Sequence, residues 1–383
     1  MKIAFVCKKK PYDKIDRSGV PYSIFHQLGE RCEIFWVKPR VEGFFGVVLF
    51  LFQKCLFRLL KFLGKNRLKQ TPLSAYIYSK SVEKQLRDKE YDAIFCLDCA
   101  DFAYLNTDKP IFYRSDAVIH GFINYYVFNV PLWLQFLAKR VEEKALAKCK
   151  RFFIPSLWIK DIIIKNKINI DLKKLVLVET GANLSDDFVD YKPHNYELNS
   201  ELNMLFVGYN IKRKGIDEAF EATKVLNEKY GIKAKLTVMG GKPDDEMLSS
   251  GFLCYIGNLN KNLPEEFIKF YKEFSKADLF LFPTKAECHG IVNCEAAAYG
   301  LPIFSYQTGG VPSYCLDGYN GRCLPVTSTG ADFAEAIFDA MKNKCMIKYS
   351  KNSRLFYLTK SNWNRWGNVV YPIICDDIST NRV

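Results

Sequence analysis

The chain has 383 residues, of which 49% are hydrophobic and 15% aromatic; this composition excludes a disordered chain and suffices for two domains of ordinary size. The formal charge of +13 comes from 55 lysines and arginines against 42 aspartates and glutamates. Residues 1–184 hold 32 basic and 18 acidic residues, so all the excess lies in the N-terminal half, which excludes a uniformly basic nucleic-acid coat and indicates an anionic partner of that half.

Short apolar runs, each followed by a helix-like stretch, predict two parallel sheets covered on both faces. They lie at 3–7, 33–37, 93–97, 111–115, 152–156, 175–179, 204–208, 235–240, 252–257, 279–283 and 302–306. The polar stretch 185–200 has a proline and no periodicity, and it is interpreted as a linker. We therefore expect two doubly wound α/β domains, 1–184 and 201–358. Ligands of such sheets bind at the carboxyl ends of the strands, so the cleft between the domains is the expected site.

Residues 38–69 depart from this pattern, because they contain eight basic residues and a single acid around the uncharged run 43–52. Ten uncharged residues are too few to cross a bilayer. If the segment is helical, its basic residues line up on one face, next to leucines and phenylalanines. These residues are Lys54, Arg58, Lys61 and Lys65. Such a helix is typical of proteins that lie in the headgroup layer of an anionic membrane, so 43–69 is predicted to bind one. The alternative is a helix buried against its own domain with a solvated lysine edge.

The thirteen cysteines indicate a reducing compartment, since they are scattered through predicted strands and helices as small hydrophobes. Only Cys96 and Cys99 form a Cys-x-x-Cys, and no second pair or histidine stands nearby in the sequence to complete a zinc site. The first ten residues have five apolar residues between charges, too few for a signal-peptide core, and predict a first strand instead. We therefore expect a cytoplasmic protein without a bound metal.

Two carboxylates, Glu287 and Glu295, frame the most informative stretch of the chain. The first lies in a loop after a strand, and the second lies where a helix of small residues begins. Eight residues turn through about 800°, so the two carboxylates cannot share one helical face, and they can hold different parts of one ligand. The N–H groups of Gly290, Ile291 and Val292 would open the helix and offer a site for an anion or hydroxyl. The alternative is a solvated Glu287 and a Glu295 that caps the helix.

A basic loop joins a strand to a helix at 204–222, where Gly208 ends the strand and Lys212, Arg213 and Lys214 follow. Fixed cations at such a junction are well placed to bind a diphosphate. The alternative is an exposed basic turn, and Lys212 in particular is expected to be exposed. Neither this strand nor the first is followed by Gly-x-Gly-x-x-Gly, and the sequence has no Walker pattern. The sequence therefore lacks the motifs that usually identify a nicotinamide-dependent dehydrogenase or a P-loop enzyme.

In combination, these motifs resemble the retaining, two-domain nucleotide-sugar glycosyltransferases of the GT-B fold, family 4. The resemblance is strongest over 204–325, through FVGYNIKRKGID, YIGNLN, KAECHGIVNCEAAAYGLPI, TGGVP and DGYNG, in the family's order and approximate spacing. It is weaker in the first half, through SGVPYS (18–23) and TGAN (180–183). The segment 362–374 resembles the family's C-terminal helix, which implies that 359–383 crosses back onto the first domain.

The resemblance implies a role for each matching residue. Arg213 and Lys214 would hold the donor diphosphate and stabilise the leaving group. Glu287 would lie against the donor sugar, and Glu295 would accept from the ribose hydroxyls. His120 would contact the transferred sugar; the alternative is a surface or packing histidine. The further implied donor contacts are Gly19, Gly208, Gly290, Ile291 and Val292, with Asn258 and Leu259 beside the base.

The implied reaction is sugar transfer with retention at the anomeric carbon, without a metal or other cofactor. None of the 22 aspartates forms Asp-x-Asp, the usual metal-holding signature of the other large glycosyltransferase fold. No side chain is an obvious covalent nucleophile, which favours same-face substitution and leaves double displacement open. The sequence departs from the family at Tyr209, often an arginine, at Cys288-His289, usually aromatic or proline-rich, and at Ser313, often an acid.

We therefore expect a cytoplasmic enzyme peripheral to the inner face of the cell membrane. It would move a sugar from a nucleotide sugar, a UDP-sugar first, to a lipid-linked or otherwise anionic glycan acceptor in surface-glycan or glycolipid synthesis. The basic half of the chain supports the acceptor independently, since that half would bind it. Two alternatives stay open: a GT-B nucleotide-sugar epimerase, which needs no acceptor, and a membrane module that binds a nucleotide sugar without turnover.

Overall fold

A computed structural model gives the structure of the chain and describes all of it except residues 185–188, 190, 192–195, 199 and 381–383 and the side chain of Phe45. Most of the predicted linker, 185–200, thus lies outside the described residues. The described strands are β1 (Lys2–Val6), β2 (Glu33–Val37), β3 (Ala93–Cys96), β4 (Ile111–Arg114), β5 (Arg151–Ile154), β6 (Leu175–Leu177), β7 (Leu202–Gly208), β8 (Ala234–Gly240), β9 (Leu253–Gly257), β10 (Leu279–Phe282), β11 (Ile303–Tyr306) and β12 (Gly321–Leu324). The described α-helices are α1 (Val20–Gly29), α2 (Phe44–Phe62), α3 (Pro72–Leu86), α4 (Ile119–Phe122), α5 (Leu132–Lys148), α6 (Leu157–Lys165), α7 (Ile211–Lys214), α8 (Ile216–Glu228), α9 (Asp245–Ser249), α10 (Pro264–Lys276), α11 (Ile291–Ala298), α12 (Gly330–Lys342), α13 (Cys345–Thr359) and α14 (Trp363–Ser379).

The chain divides into two units, and each is built on a parallel sheet that has six strands in the described residues. The first unit holds Met1–Val178 and Trp366–Val383, and the second holds Glu179–Arg365. The strand orders are β2-β1-β3-β4-β5-β6 and β12-β11-β10-β7-β8-β9. Every predicted apolar run forms a strand, which confirms the doubly wound α/β fold. Strand β12 was not predicted, because its sequence, GRCL, has only two apolar residues and lies at a sheet edge.

The strands of the second unit are apolar throughout because both faces of the sheet are covered. Along β7, Met204 and Phe206 belong to one buried cluster, while Leu205 and Val207 belong to another. Successive side chains of a strand point to opposite faces, so a strand between two helical layers shows no alternation of apolar and polar residues. This is why continuous apolar runs, rather than alternating ones, were the correct signal for this sheet.

The C-terminal part of α14 packs within the first unit. The fully buried side chain of Trp366 meets the Phe95 ring of β3 edge-on, at a centroid distance of 6.1 Å. Asp377 accepts two hydrogen bonds from the Arg151 guanidinium, at 2.6 and 2.8 Å. The last residues were predicted to join the first domain from residue 359; in the structure the first unit resumes at Trp366.

Helix α2 ends earlier than the predicted basic segment. Gly64, in the left-handed conformation at φ 68°, follows the last turn, and the N–H of Lys65 donates to the Leu60 carbonyl at 2.8 Å. A glycine with positive φ, followed by a backbone hydrogen bond back across the last turn, is a common way for a helix to end. The prediction that Lys65 shares a helical stripe with Lys54, Arg58 and Lys61 is therefore wrong for Lys65. No helix among the described residues is long and apolar enough to cross a membrane.

Candidate active site

Two glycines allow the basic loop of the second unit to fold closely at the carboxyl end of its sheet. A Cβ on Gly208 would lie 2.7 Å from Cγ of Lys214, so only glycine leaves room for that lysine. Gly215 ends the short helix α7 in the left-handed conformation, at φ 83°, where a Cβ would overlap the Pro283 carbonyl. The Asn210 side chain accepts from the Arg213 N–H at 3.1 Å and starts the same turn. The loop is thereby fixed against the residues that follow β10.

Lys214 and Glu287 form a buried ion pair at this edge of the sheet. The Lys214 ammonium donates to Oε2 of Glu287 and also lies 4.7 Å above the centre of the Phe282 ring. Arg213 Nη1 lies 4.0 Å from the same carboxylate oxygen and donates to the Ala286 carbonyl. The structure therefore brings together three residues that the sequence predicted to share one site, the two cations and the first glutamate.

The pair is held in a water-poor setting that changes the acidity of both groups. Burial by itself would raise the pKa of Glu287, but the positive charges of Lys214, His289 and Arg213 hold that pKa below its usual value. Burial lowers the pKa of Lys214, and Glu287 offsets part of this effect. Glu287 is thus a carboxylate at neutral pH, with a partly desolvated ammonium beside it.

Helix α11 begins between the two glutamates. Its N-cap, Gly290, has φ 72°, and no side chain caps the helix start. A Cβ on Gly290 would lie 2.7 Å from Nδ2 of Asn293 and 3.1 Å from Cγ of Glu287, so this close approach requires glycine. The first N–H groups of an α-helix have no partner within the helix and carry partial positive charge, and those of Ile291 and Val292 are among them.

The second glutamate, Glu295, is fully buried in α11 and has one partner of opposite charge. Lys261 lies 2.7 Å from Oε1, with its ammonium 3.9 Å above the Phe270 ring. Among the described residues, Oε2 of Glu295 and both amide atoms of the fully buried Asn293 have no hydrogen-bond partner. Buried polar atoms in native proteins are almost always hydrogen-bonded, so these atoms are candidate contacts for a polar ligand.

Burial raises the pKa of Glu295, and Lys261 opposes part of that rise. Sequence reasoning missed Lys261. The residue follows the predicted base contacts Asn258 and Leu259 by two positions, but sequence spacing does not indicate that its side chain reaches α11. The positive charge of Lys261 was the only signal in the sequence, since a buried carboxylate such as Glu295 needs a cation from another part of the chain.

The remaining predicted donor residues of the second unit lie at the same sheet edge. Asn258 is exposed and Leu259 half-buried, directly after β9. Lys212 is the exposed basic residue that was expected, paired with Asp217 at 3.0 Å and with Asp244 at 2.7 Å. Tyr209, at a position where the family often has arginine, is 80% exposed.

Comparison with known proteins shows which family the second unit resembles. Residues 192–355 match the family model of glycosyl transferases group 1. The match covers most of the second unit and less than half of the chain. Its relatives include an uncharacterized glycosyltransferase of Methanocaldococcus jannaschii, 23% identical over 53% of this chain and 54% of the relative. The capsular polysaccharide biosynthesis glycosyltransferase CapM of Staphylococcus aureus is 27% identical over 39% and 41%. The chain thus spans about half the length of these relatives or less.

Solved structures agree on the fold over nearly the whole length of the chain. A glycosyltransferase from Rickettsia africae superposes with a TM-score of 0.66 at 14% identity, covering 98% of both chains. HepE from Anabaena, solved in complex with UDP, superposes with a TM-score of 0.67 at 13% identity, covering 98% of this chain and 100% of that one. Identities this low establish the fold alone, which is the predicted GT-B fold class with two Rossmann-like domains.

Two of the residues predicted to contact the donor or the transferred sugar, Gly19 and His120, lie in the first unit and not in the second. Gly19 caps the N-terminus of α1 at φ 85°, after two further positive-φ residues, Arg17 and Ser18. His120 lies in α4, half-buried, and its Nδ1 has no hydrogen-bond partner among the described residues. Burial and the charge of Lys139 lower the pKa of His120, so its imidazole is neutral at pH 7.

A buried carboxylate fixes the helix that carries His120, and it predicts a pH-dependent stability. Glu142 accepts from the Ile119 N–H at 3.0 and 2.8 Å, and burial raises its pKa from 4.5 to about 8. Because the folded-state pKa is the higher one, the stability that Glu142 contributes is complete at low pH and is lost as pH rises from 4.5 to about 8. Glu142→Gln mimics the neutral acid and does not titrate.

We therefore expect the free energy of unfolding of Glu142→Gln to rise relative to that of the native chain across this pH window, by a few kcal/mol. Denaturant titrations at several pH values measure this difference. A difference that stays constant between pH 4.5 and 8 would contradict the assignment.

Proposed function

We propose that this chain transfers a sugar, with retention of anomeric configuration, from a nucleotide sugar to an anionic glycan or lipid-linked acceptor. The observation that carries the proposal is the pair of lysine–glutamate contacts around α11. Lys214 and Glu287 form one contact before the start of the helix. Glu295 lies within the helix, and Lys261 contacts it from the loop after β9. A nucleotide sugar has two polar parts, a diphosphate and a ribose, which need different partners.

The donor diphosphate is assigned to Arg213, Lys214 and the N–H groups that open α11. These are fixed cations and dipoles, and such groups stabilise the charge that develops on a leaving diphosphate without reorganising during the reaction. The ribose hydroxyls are assigned to Oε2 of Glu295, and the donor sugar to Glu287. The UDP complex of HepE, whose fold this chain shares, supports a uridine nucleotide as the first donor to test.

The acceptor proposal is supported by charge and by the relatives. The first unit carries the positive excess of the chain, which favours a phosphate-bearing or otherwise anionic acceptor. CapM belongs to capsular polysaccharide biosynthesis, and WaaG, at a TM-score of 0.64, to lipopolysaccharide biosynthesis. We place the reaction at the inner face of the cell membrane, where the exposed Lys54, Arg58 and Lys61 of α2 would meet anionic headgroups.

Transfer is expected to continue in EDTA, because the diphosphate charge is assigned to protein cations and a helix N-terminus. Within the described residues, no group of three or more histidines, cysteines, aspartates or glutamates is placed to hold a metal ion. Initial rates measured in EDTA, and again after adding magnesium or manganese, check this. Loss of activity in EDTA that either metal restores would contradict the metal-independent assignment.

The proposal is tested by incubating the purified chain with labelled UDP-, GDP- and ADP-sugars, with and without membrane lipid extract. We expect sugars of one nucleotide family to be donated, and product to form only when lipid is added. The NMR spectrum of the product should show the same anomeric configuration as the donor. Free altered sugar formed without lipid would indicate an epimerase. Nucleotide-sugar binding without any product would indicate a non-catalytic module.

A further inference from the structure

Helix α2 has two opposite faces, one buried and one exposed, and both are apolar. Its buried strip contains Phe57 and Leu60, each 8% exposed. The exposed large apolar side chains lie, at 100° per residue, within an arc of about 140° on the opposite side. They include Phe44, Val48, Phe52, Leu59 and Phe62, and both Phe44 and Phe62 are 87% exposed. A helix that only covered its own domain would show a polar outer face.

A second group of exposed apolar side chains follows in the chain at residues 128–136. Leu132 is 80% exposed, and Phe128, Trp133 and Phe136 are about half exposed. The last three are aromatic, and Phe136 lies 5.3 Å below the Arg140 guanidinium. The sequence pattern does not distinguish this segment from the start of an ordinary helix.

The two groups belong to one surface, because their buried sides pack on each other. Phe57 and Leu60 of α2 share a buried cluster with Val130, Leu134 and Ala138. The chain after α2 is also bonded to the segment, since the Asn66 N–H donates to the Asn129 carbonyl at 3.1 Å and the Asn66 amide donates to the Phe128 carbonyl at 2.9 Å. The exposed side chains therefore flank a packed and hydrogen-bonded junction.

The charge of this surface has one sign. Residues 43–69 contain six lysines and arginines, and residues 117–141 contain Lys139 and Arg140; neither range has an aspartate or glutamate. On α2, Lys54, Arg58 and Lys61 are exposed and lie along one edge of the exposed apolar arc. The surface therefore combines a broad apolar face with a cationic border and no acidic residue.

We infer that α2 and residues 128–136 together form one bilayer-binding surface, which inserts its apolar side chains into the interface of an anionic membrane. This deepens the proposed function, which assigns membrane contact to the cations of α2 alone. Phe52, Phe62, Leu132 and Phe136 enter the acyl boundary, and Trp133 lies at headgroup level, as amphipathic aromatic side chains do. The lysines and arginines at the border bind anionic headgroups.

A bilayer explains this surface better than a second protein. Protein interfaces place apolar side chains in a core and polar groups in a rim around it. Here α2 carries only positive charge and residues 128–136 carry none, beside exposed apolar and aromatic side chains. A membrane interface offers an unstructured apolar layer beneath a uniformly negative one, which matches both properties. The second protein, including a second copy of this chain, is an outcome that the following test detects.

The test measures binding of the full chain to vesicles of equimolar phosphatidylcholine and phosphatidylglycerol by sedimentation. Leu132→Ser combined with Phe136→Ser is expected to weaken binding at least about tenfold, since each exposed side chain loses its transfer to the acyl boundary. The matched control is Leu355→Ser with Leu358→Ser, two half-exposed leucines of α13 in the second unit, and it should bind as the native chain does. Equal binding of the two double variants would overturn the inference.

Insertion is checked by a second readout. Brominated lipid should quench part of the tryptophan emission of the vesicle-bound chain, and Trp133→Phe should remove that part; quenching unchanged in Trp133→Phe would contradict insertion. Loss of a dimer in Leu132→Ser with Phe136→Ser, measured by light scattering without lipid, would assign the surface to a second copy instead. Binding of UDP separates this inference from the proposed function, because UDP binding should be the same in all of these variants.

Discussion

Lys214→Met is expected to lower kcat/KM for sugar transfer by about 10²–10³, the cost of removing one fixed stabiliser of developing negative charge. The buried ammonium contacts Glu287 and is the best-fixed cation of the basic loop. Without it, only Arg213 and the start of α11 remain to stabilise the leaving diphosphate. Initial rates at varied donor concentration measure the loss, which should fall mainly on kcat because the charge develops as the bond to the leaving group breaks.

The same helix offers the matched control. Lys212 is exposed and paired with Asp217 and Asp244, so Lys212→Met should leave turnover nearly unchanged. Because Lys214→Met leaves the buried Glu287 without its ammonium, it should also lower the free energy of unfolding by a few kcal/mol. Adding Glu287→Gln should restore part of that stability without restoring activity. Turnover in Lys214→Met equal to that of the Lys212 variant would contradict the diphosphate assignment.

Glu295→Gln is expected to raise the donor KM by about 10–100-fold, the usual worth of a hydrogen bond to a charged group. In the structure, Oε2 of Glu295 has no hydrogen-bond partner among the described residues, and we assign it to a ribose hydroxyl. Donors that lack the 2′- or the 3′-hydroxyl identify which one. For the analogue without the bonded hydroxyl, the native chain and Glu295→Gln should show the same KM. If Glu295→Gln raised KM by the same factor for the natural donor and for both deoxy analogues, the ribose contact would be contradicted.

Lys261→Met should shift the pH dependence of donor binding. Lys261 holds down the pKa of a carboxylate whose burial raises it, so removal of this ammonium raises the pKa of Glu295 further. The carboxylate then forms only at higher pH, and the acid limb of donor binding should move towards alkaline pH. The exposed Lys269 of α10 provides the control, as Lys269→Met should leave the profile unchanged. An unshifted profile in Lys261→Met would show that Lys261 does not position Glu295.

The fold could be predicted from the sequence because parallel strands covered on both faces are continuous apolar runs, as in β7 and β10. The exceptions have local causes. Strand β12 contains arginine and glycine at a sheet edge, and the last lysine of the basic segment lies beyond α2 because Gly64 ends the helix. In both cases one or two residues outweighed the pattern around them.

The candidate site was predictable only in part, for a different reason. Arg213, Lys214 and Glu287 occur in motifs whose order along the chain already implies proximity at the carboxyl edge of a sheet. Lys261 has no such motif, and its contact with Glu295 depends on how the loop after β9 folds over α11. The exposed group at 128–136 was equally hidden, because its partners on α2 lie far away in the sequence.

The most direct measurement of the central claim is a calorimetric titration of the native chain and Glu295→Gln with UDP, GDP and ADP in EDTA. The account predicts that one of these nucleotides binds the native chain, UDP first, and that Glu295→Gln weakens that binding by about 10–100-fold. Absence of binding by all three nucleotides to the folded native chain would contradict the assignment of the second unit as a nucleotide-sugar site.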